Sequence, residues 1–194
     1  MNDSLKLIGL NYYDFITDID EEDPSYTTDF ADEEKRTKAE LRFTMRDGEE
    51  KSFTPKQFNF HVPPEHTVDG DYYDAEVHFV HVIKDSGRVD RDGVRQNEEY
   101  GTIIGIFFQV KDGEDSPFIE SLFDAYDSQG NSEERGFVAL EDFLSGVDMS
   151  QFWSYDGSFT NPPCTEGINW IVIKQVQPIS RSQLDRFKAR LEGS

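Results

Sequence analysis

Apolar residues recur along this chain mostly with a period of two, in short runs. Leu41–Met45, Gln57–Val62, Tyr72–Ile83, Thr102–Val110 and Ile168–Val176 each read as strands. Turn-forming pairs fall around them at Asp47-Gly48, Pro63-Pro64, Asp69-Gly70, Asp112-Gly113 and Pro162-Pro163. Helical spacing predicts three elements. Pro117–Tyr126 opens on a proline and aligns Phe118, Leu122 and Phe123. Val138–Leu144 fits a short helical turn. Arg181–Leu191 carries Leu184, Phe187 and Leu191 as an apolar stripe, with Ser180 or Ser182 as cap. Many strands and few helices predict an α+β, sheet-dominated fold. No repeat or linker divides the 194 residues, so 1–194 reads as a single domain able to bury a real core.

Composition sharpens that picture. Hydrophobic residues make up only 36% of the chain, but aromatics reach 13%, led by 16 Phe, which points to a Phe-rich sheet core rather than a disordered acidic chain. A net charge of −21 repels nucleic acids and anionic membranes, so neither is an expected partner. The charge is dense in Asp18–Asp23 and Asp32–Glu34, which read as solvated loop. Neither these nor Asp90-Arg91-Asp92-Gly93 has the order of an EF-hand. A cation-binding role for the acidic 18–34 stretch is carried as an alternative. The one cysteine, Cys164, allows no internal disulfide and is expected to be a buried, small apolar residue. No signal peptide or membrane-spanning run is visible, so the expectation is a soluble protein, intracellular or organellar.

Two strands carry candidate chemistry. In Gln57-Phe58-Asn59-Phe60-His61-Val62, alternation puts Gln57, Asn59 and His61 on one face. In Glu76-Val77-His78-Phe79-Val80-His81 it groups Glu76, His78 and Val80. If the strands pair, Asn59, His61 and His78 converge, with Gln57 and Glu76 behind them as hydrogen-bonding partners that orient the ligands. A lone strand histidine is more often a structural, hydrogen-bonded residue than a ligand. Here all four histidines lie between positions 61 and 81, which favours a metal site.

The segments QFNFHV, EHTVDG and YDAEVHFVH resemble, in order, the zinc-binding block of the α-carbonic anhydrases. GIFFQV resembles that family's next core strand, and GSFTNPPCTEGINWIVIKQVQPISRSQLDRF its C-terminal part. The resemblance covers about the last two thirds of the chain and leaves residues 1–40 as a divergent or shortened N-terminal part. It implies a large twisted, mainly antiparallel β-sheet with short peripheral helices and a cleft with zinc at its base. The zinc ligands would fall on Asn59, His61 and His78, with Gln57 and Glu76 behind them. Thr160 would orient the nucleophile and donate to Glu65. Val80, Ile103, Phe159 and Trp170 would wall the carbon dioxide pocket, and His66 and His81 would be structural.

One position departs in its chemistry: Asn59 stands where the family places its first zinc histidine. An amide oxygen is a weak donor to zinc, so zinc binding is expected to be weak or absent. No histidine precedes His61 to shuttle protons. The expected function is a carbonic anhydrase-like protein with lost or strongly reduced hydratase activity, serving as an interaction or structural component. The alternative is an active zinc carbonate dehydratase, acting on carbon dioxide and bicarbonate through an Asn/His/His site. A shortened N-terminal side would leave a sheet edge for a protein partner to cover.

Overall fold

The computed structural model describes residues 5–8, 15–19, 25–30, 40–45, 48–83, 101–127, 138 and 140–192. Its strands are β1 (Leu5–Ile8), β2 (Phe15–Ile19), β3 (Ser25–Phe30), β4 (Glu40–Thr44), β5 (Glu50–His61), β6 (Ala75–Val82), β7 (Gly101–Val110), β8 (Phe152–Ser158) and β9 (Glu166–Ile179). Its helices are α1 (Pro117–Asp127), α2 (Leu140–Ser145) and α3 (Arg181–Glu192). The sheet runs β1-β4-β5-β6-β7-β9-β8, with β3 also pairing β5 and β2 pairing β3. Every pairing is antiparallel except β7 with β9. No helix among the described residues is long and apolar enough to cross a membrane.

The alternation read from β5, β6 and β7 separates two environments. Phe58 and Phe60 of β5, Val77 and Phe79 of β6, and Ile104, Ile106 and Phe108 of β7 are buried together with residues of the helices. Phe60 stacks on Phe187 of α3 at 4.1 Å between ring centroids, and Phe58 lies 5.9 Å from Phe118 of α1. Each buried Phe contributes about 1.5–3 kcal/mol, so this aromatic layer is what fixes the helices to the sheet. Hydrogen bonds then set their register. The Gln183 side chain accepts from the Ser116 amide at 2.9 Å and donates to the Ser116 carbonyl at 3.0 Å. Ser180 caps α3, accepting from the Gln183 amide through Oγ at 3.3 Å.

Several expectations need correction. Residues 1–40 supply β1, β2 and β3, and β4 and β3 pair successive halves of one side of β5. Asp18 lies in β2 rather than in a loop, while residues 20–23, 32–34 and 90–93 lie outside the described residues. Strand β8 was not expected: Ser154 and Asp156 interrupt its apolar pattern, and as an outer strand it leaves Trp153 and Tyr155 partly exposed. Cys164 is exposed, not buried. It sits in a turn at φ 56°, its amide donating to the Asn161 carbonyl at 2.8 Å, and that backbone path turns the side chain away from the core.

Two features of the central strands are directly testable. His81 is buried, with Nδ1 3.0 Å from the Phe79 carbonyl oxygen. Burial pushes its pKa down to about 4, against the opposing pull of backbone hydrogen bonds. The unfolded chain therefore takes up a proton between pH 6.5 and about 4 that the folded chain refuses, and stability falls as pH drops through that window. The cost reaches on the order of 2–3 kcal/mol by pH 4.5. Guanidinium unfolding at pH 7 and 4.5 should show that loss, and His81→Gln should shrink it; an undiminished loss would assign it to other groups. Gly105 faces His78 across β6 and β7, and a Cβ there would lie 2.8 Å from Glu76 Oε1. Gly105→Ala is expected to cost about 1–3 kcal/mol through overpacking. A melting temperature equal to that of the parent would show that Glu76 has room to move.

Candidate metal centre

Strands β5 and β6 pair with Asn59 opposite His78 and His61 opposite Glu76. Because side chains alternate, all four then lie on the sheet face opposite the aromatic layer. His61 and His78 are both buried, with ring centroids 4.4 Å apart. The Val62-Pro63-Pro64 connection turns back so that Glu65 reaches the same spot. Its Oε1 is 3.9 Å from His61 Nδ1, and its Oε2 is 3.5 Å from His78 Nδ1. Potential donor atoms of His61, Glu65 and His78 all lie within 4.8 Å of one another.

The hydrogen bonding leaves capacity for an ion. His61 Nε2 and His78 Nε2 are both buried without a hydrogen bond. Glu76 Oε1 lies 2.9 Å from His78 Nε2, close enough for an ion-pair contact but not aligned as a hydrogen bond. A buried nitrogen left this way costs about 1–3 kcal/mol, which coordination at the ring would offset. Two imidazoles and a carboxylate are a donor set that zinc accepts, so the residues present fit a divalent ion of this kind. Burial, and then the neighbouring His78, push the His61 pKa down to about 3. Near neutral pH its imidazole is therefore uncharged, with a lone pair to offer.

Glu76 fixes the connection that delivers Glu65. It is fully buried, and its Oε2 accepts from the backbone amides of Glu65 and His66, each at 3.0 Å. Its Oε1 lies 2.6 Å from His66 Nδ1, and His66 Nε2 lies 2.6 Å from the Tyr155 hydroxyl. Burial alone would raise the Glu76 pKa, but the hydrogen bond to His66 and the close contact with the His78 ring outweigh it and hold the carboxyl well below the usual range. Tyr155 is pushed up to about 12 by burial and by the charges of Glu76 and Glu65, so it remains a donor. The chain of contacts thus reads Tyr155 O–H to His66 Nε2, then His66 Nδ1–H to Glu76. A second cluster, His66, Glu76 and His78, also meets the spacing for a metal, but its His66 and Glu76 atoms are already engaged with each other.

The remaining sequence-predicted residues divide. Gln57 Nε2 donates to Asn59 Oδ1 at 3.3 Å, so Gln57 does stand beside position 59. A cleft of about 250 Å³ brings together Gln57, Asn59, His78, Thr160 and the apolar Val80, Ile103, Phe159 and Trp170. His61 and Glu65 do not line it. The expected hydrogen bond from Thr160 to Glu65 is not formed. Thr160 is exposed, and its hydroxyl donates instead to Asn161 Oδ1 at 3.5 Å. The Glu65 carboxylate has turned toward the two imidazoles.

Sequence reasoning missed Tyr155 and Lys56. Tyr155 lies 89 residues from His66, and no local pattern links them. Lys56 falls at the irregularity of β5 between Pro55 and Gln57, and it lines the cleft beside Gln57. Pro55 was the available signal, since a proline inside a strand marks an edge or a bulge.

Comparison with known proteins identifies the family. A family model described as eukaryotic-type carbonic anhydrase matches residues 3–194. Alpha carbonic anhydrase 4 of Arabidopsis thaliana is 32% identical over 141 residues, covering 72% of this chain and 46% of that protein. Dioscorin dioA3 of Dioscorea japonica is 32% identical over 131 residues, 66% of this chain and 43% of that one. The chain therefore spans about half the length of the curated relatives it matches. A halotolerant carbonic anhydrase from Dunaliella salina shares the fold with a TM-score of 0.73 at 22% identity, covering 97% of this chain and 70% of that chain. With a family model matching nearly its whole length, the chain belongs to the eukaryotic-type carbonic anhydrase family.

Proposed function

We propose that this chain is a carbonic anhydrase-like protein with lost or strongly reduced carbon dioxide hydratase activity, and that it serves as an interaction or structural component. The observation that carries this reading is position 59. Where a third imidazole is due opposite His78, the chain supplies an amide that is already hydrogen-bonded to Gln57. Zinc held by three neutral imidazoles lowers the pKa of a bound water to about 7, which is the chemistry hydration needs. An amide oxygen is a weaker donor to zinc than an imidazole nitrogen, so the three-nitrogen set is not assembled.

Two further observations support the same reading. Thr160 donates to Asn161, so the hydroxyl that would orient a nucleophile is not held by Glu65. His66 is committed to Glu76 and Tyr155, and His81 is buried against the Phe79 carbonyl. No histidine is then left at the cleft mouth to pass protons to solvent, a step worth about 10²–10⁴-fold in rate where a positioned group performs it.

A second reading, an active zinc carbonate dehydratase acting on carbon dioxide and bicarbonate, is favoured by one feature. Val80, Ile103, Phe159 and Trp170 still form a continuous apolar wall beside His78. Stopped-flow hydration of carbon dioxide by zinc-supplemented protein separates the two. The expected result is no rate above buffer for the parent and a measurable rate for Asn59→His. Sulfonamide-sensitive hydration by the parent, abolished in Asn59→Ala, would replace the first reading with the second.

A further inference from the structure

We infer that Glu65, not Asn59, is the third protein donor of a divalent metal site in this chain, completing a two-imidazole, one-carboxylate set with His61 and His78. The inference deepens the functional reading above and rests on its premise that Asn59 supplies no effective donor.

The geometry is already close to that of a loaded site. Donor atoms bound tetrahedrally to one zinc ion at about 2.0–2.2 Å lie roughly 3.2–3.6 Å apart. Glu65 Oε2 is 3.5 Å from His78 Nδ1, and Glu65 Oε1 is 3.9 Å from His61 Nδ1. One donor atom from each of the three residues can be chosen so that all lie within 4.8 Å of one another. Asn59, by contrast, has its Oδ1 turned to Gln57.

The position of Glu65 is built rather than incidental. The amides of Glu65 and His66 both donate to the fully buried Glu76 Oε2, which pins the backbone at the point where the side chain departs. Glu76 Oε1 meanwhile sits behind His78 on its Nε2 side, leaving Nδ1 to face Glu65. One buried carboxylate thus sets both the ring orientation of His78 and the approach of Glu65, the arrangement by which partners behind a metal ligand tune a site. His61 Nε2, buried without a hydrogen bond, is the independent sign that this pair is not satisfied by protein alone.

Chemically, an anionic oxygen holds a dication far better than a neutral amide oxygen does, and two imidazoles with one carboxylate form a recognised zinc set. The ligand class is a divalent transition metal ion, with zinc as the probe. The same step explains why Thr160 lacks its expected partner: a carboxylate turned toward His61 and His78 is not available to the cleft hydroxyl.

The test is zinc affinity, measured on the whole chain by competition with a chromophoric chelator, with circular dichroism and apo-protein melting as folding controls. The parent should bind one zinc. Glu65→Gln should weaken binding by more than the roughly 10–100-fold typical of losing a group behind a ligand. Asn59→Ala should leave affinity unchanged, and this arm stays decisive even if Glu65→Gln folds poorly. Absence of zinc binding by the parent, parent-like affinity in Glu65→Gln, or loss of zinc in Asn59→Ala would each overturn the assignment. Hydration is read separately. A parent that hydrates carbon dioxide while Asn59→Ala keeps its zinc defeats the functional reading and leaves Glu65 as ligand; an inactive parent with parent-like affinity in Glu65→Gln does the reverse.

Discussion

The buried carboxylate of Glu76 organises the site. A charge with no solvent contact is costly unless its oxygens are engaged, and here they meet two backbone amides, the His66 ring and the flank of His78. Those contacts join β6 to the connection that follows β5 and, through His66, to Tyr155 on β8. Gly105 on β7 is the complementary condition, since the space a Cβ would fill is where Glu76 Oε1 sits. Three strands and the connection after β5 therefore contribute to one carboxylate, and the orientations of His78 and Glu65 follow from how it is held.

The apolar wall of the cleft is independent of that polar assembly. Val80, Ile103, Ile168 and Trp170 are buried as a cluster of their own, and Trp170 Nε1 donates to the Ser158 carbonyl at 3.0 Å. Burying each such side chain stabilises the fold by about 1.5–3 kcal/mol whether or not substrate ever enters. Selection for stability alone would keep these residues. Their retention is therefore weak evidence for catalysis, whereas the donor at position 59 and the partner of Thr160 bear on chemistry directly.

Local pattern carried much of this structure. The period of two in 57–62 and 75–82 placed Gln57, Asn59, His61, Glu76 and His78 on one face, and the antiparallel register then set Asn59 against His78. Helices α1 and α3 were legible from proline, serine cap and apolar stripe. What escaped depended on distance or on broken pattern. Tyr155 meets His66 only through the stacking of β8 on β9, and the polar residues of β8 hide its strand character. Lys56 enters the cleft through a register shift that no periodicity can announce. Glu65 lies beside His61 and His78 rather than Thr160, a choice between partners that a list of matching residue types cannot resolve.

That competition links the two halves of the site. Family resemblance assigns Glu65 to hold Thr160, a role that makes sense while three imidazoles satisfy the metal. On the assignment inferred above, the amide at position 59 leaves two buried imidazoles short of a donor, and the Glu65 carboxylate, 3.5 Å from His78 Nδ1, supplies it. Electrostatics favours that move, because attraction between a carboxylate and a dication in a buried site exceeds a hydrogen bond to an exposed hydroxyl. On that assignment, one difference on β5 would reach Glu65 and Thr160 without any change in either residue. In the structure Glu65 lies beside the two imidazoles, and the Thr160 hydroxyl donates to its neighbour Asn161. Residue identity at a catalytic position is consequently a poor guide to its role once the donor opposite has changed.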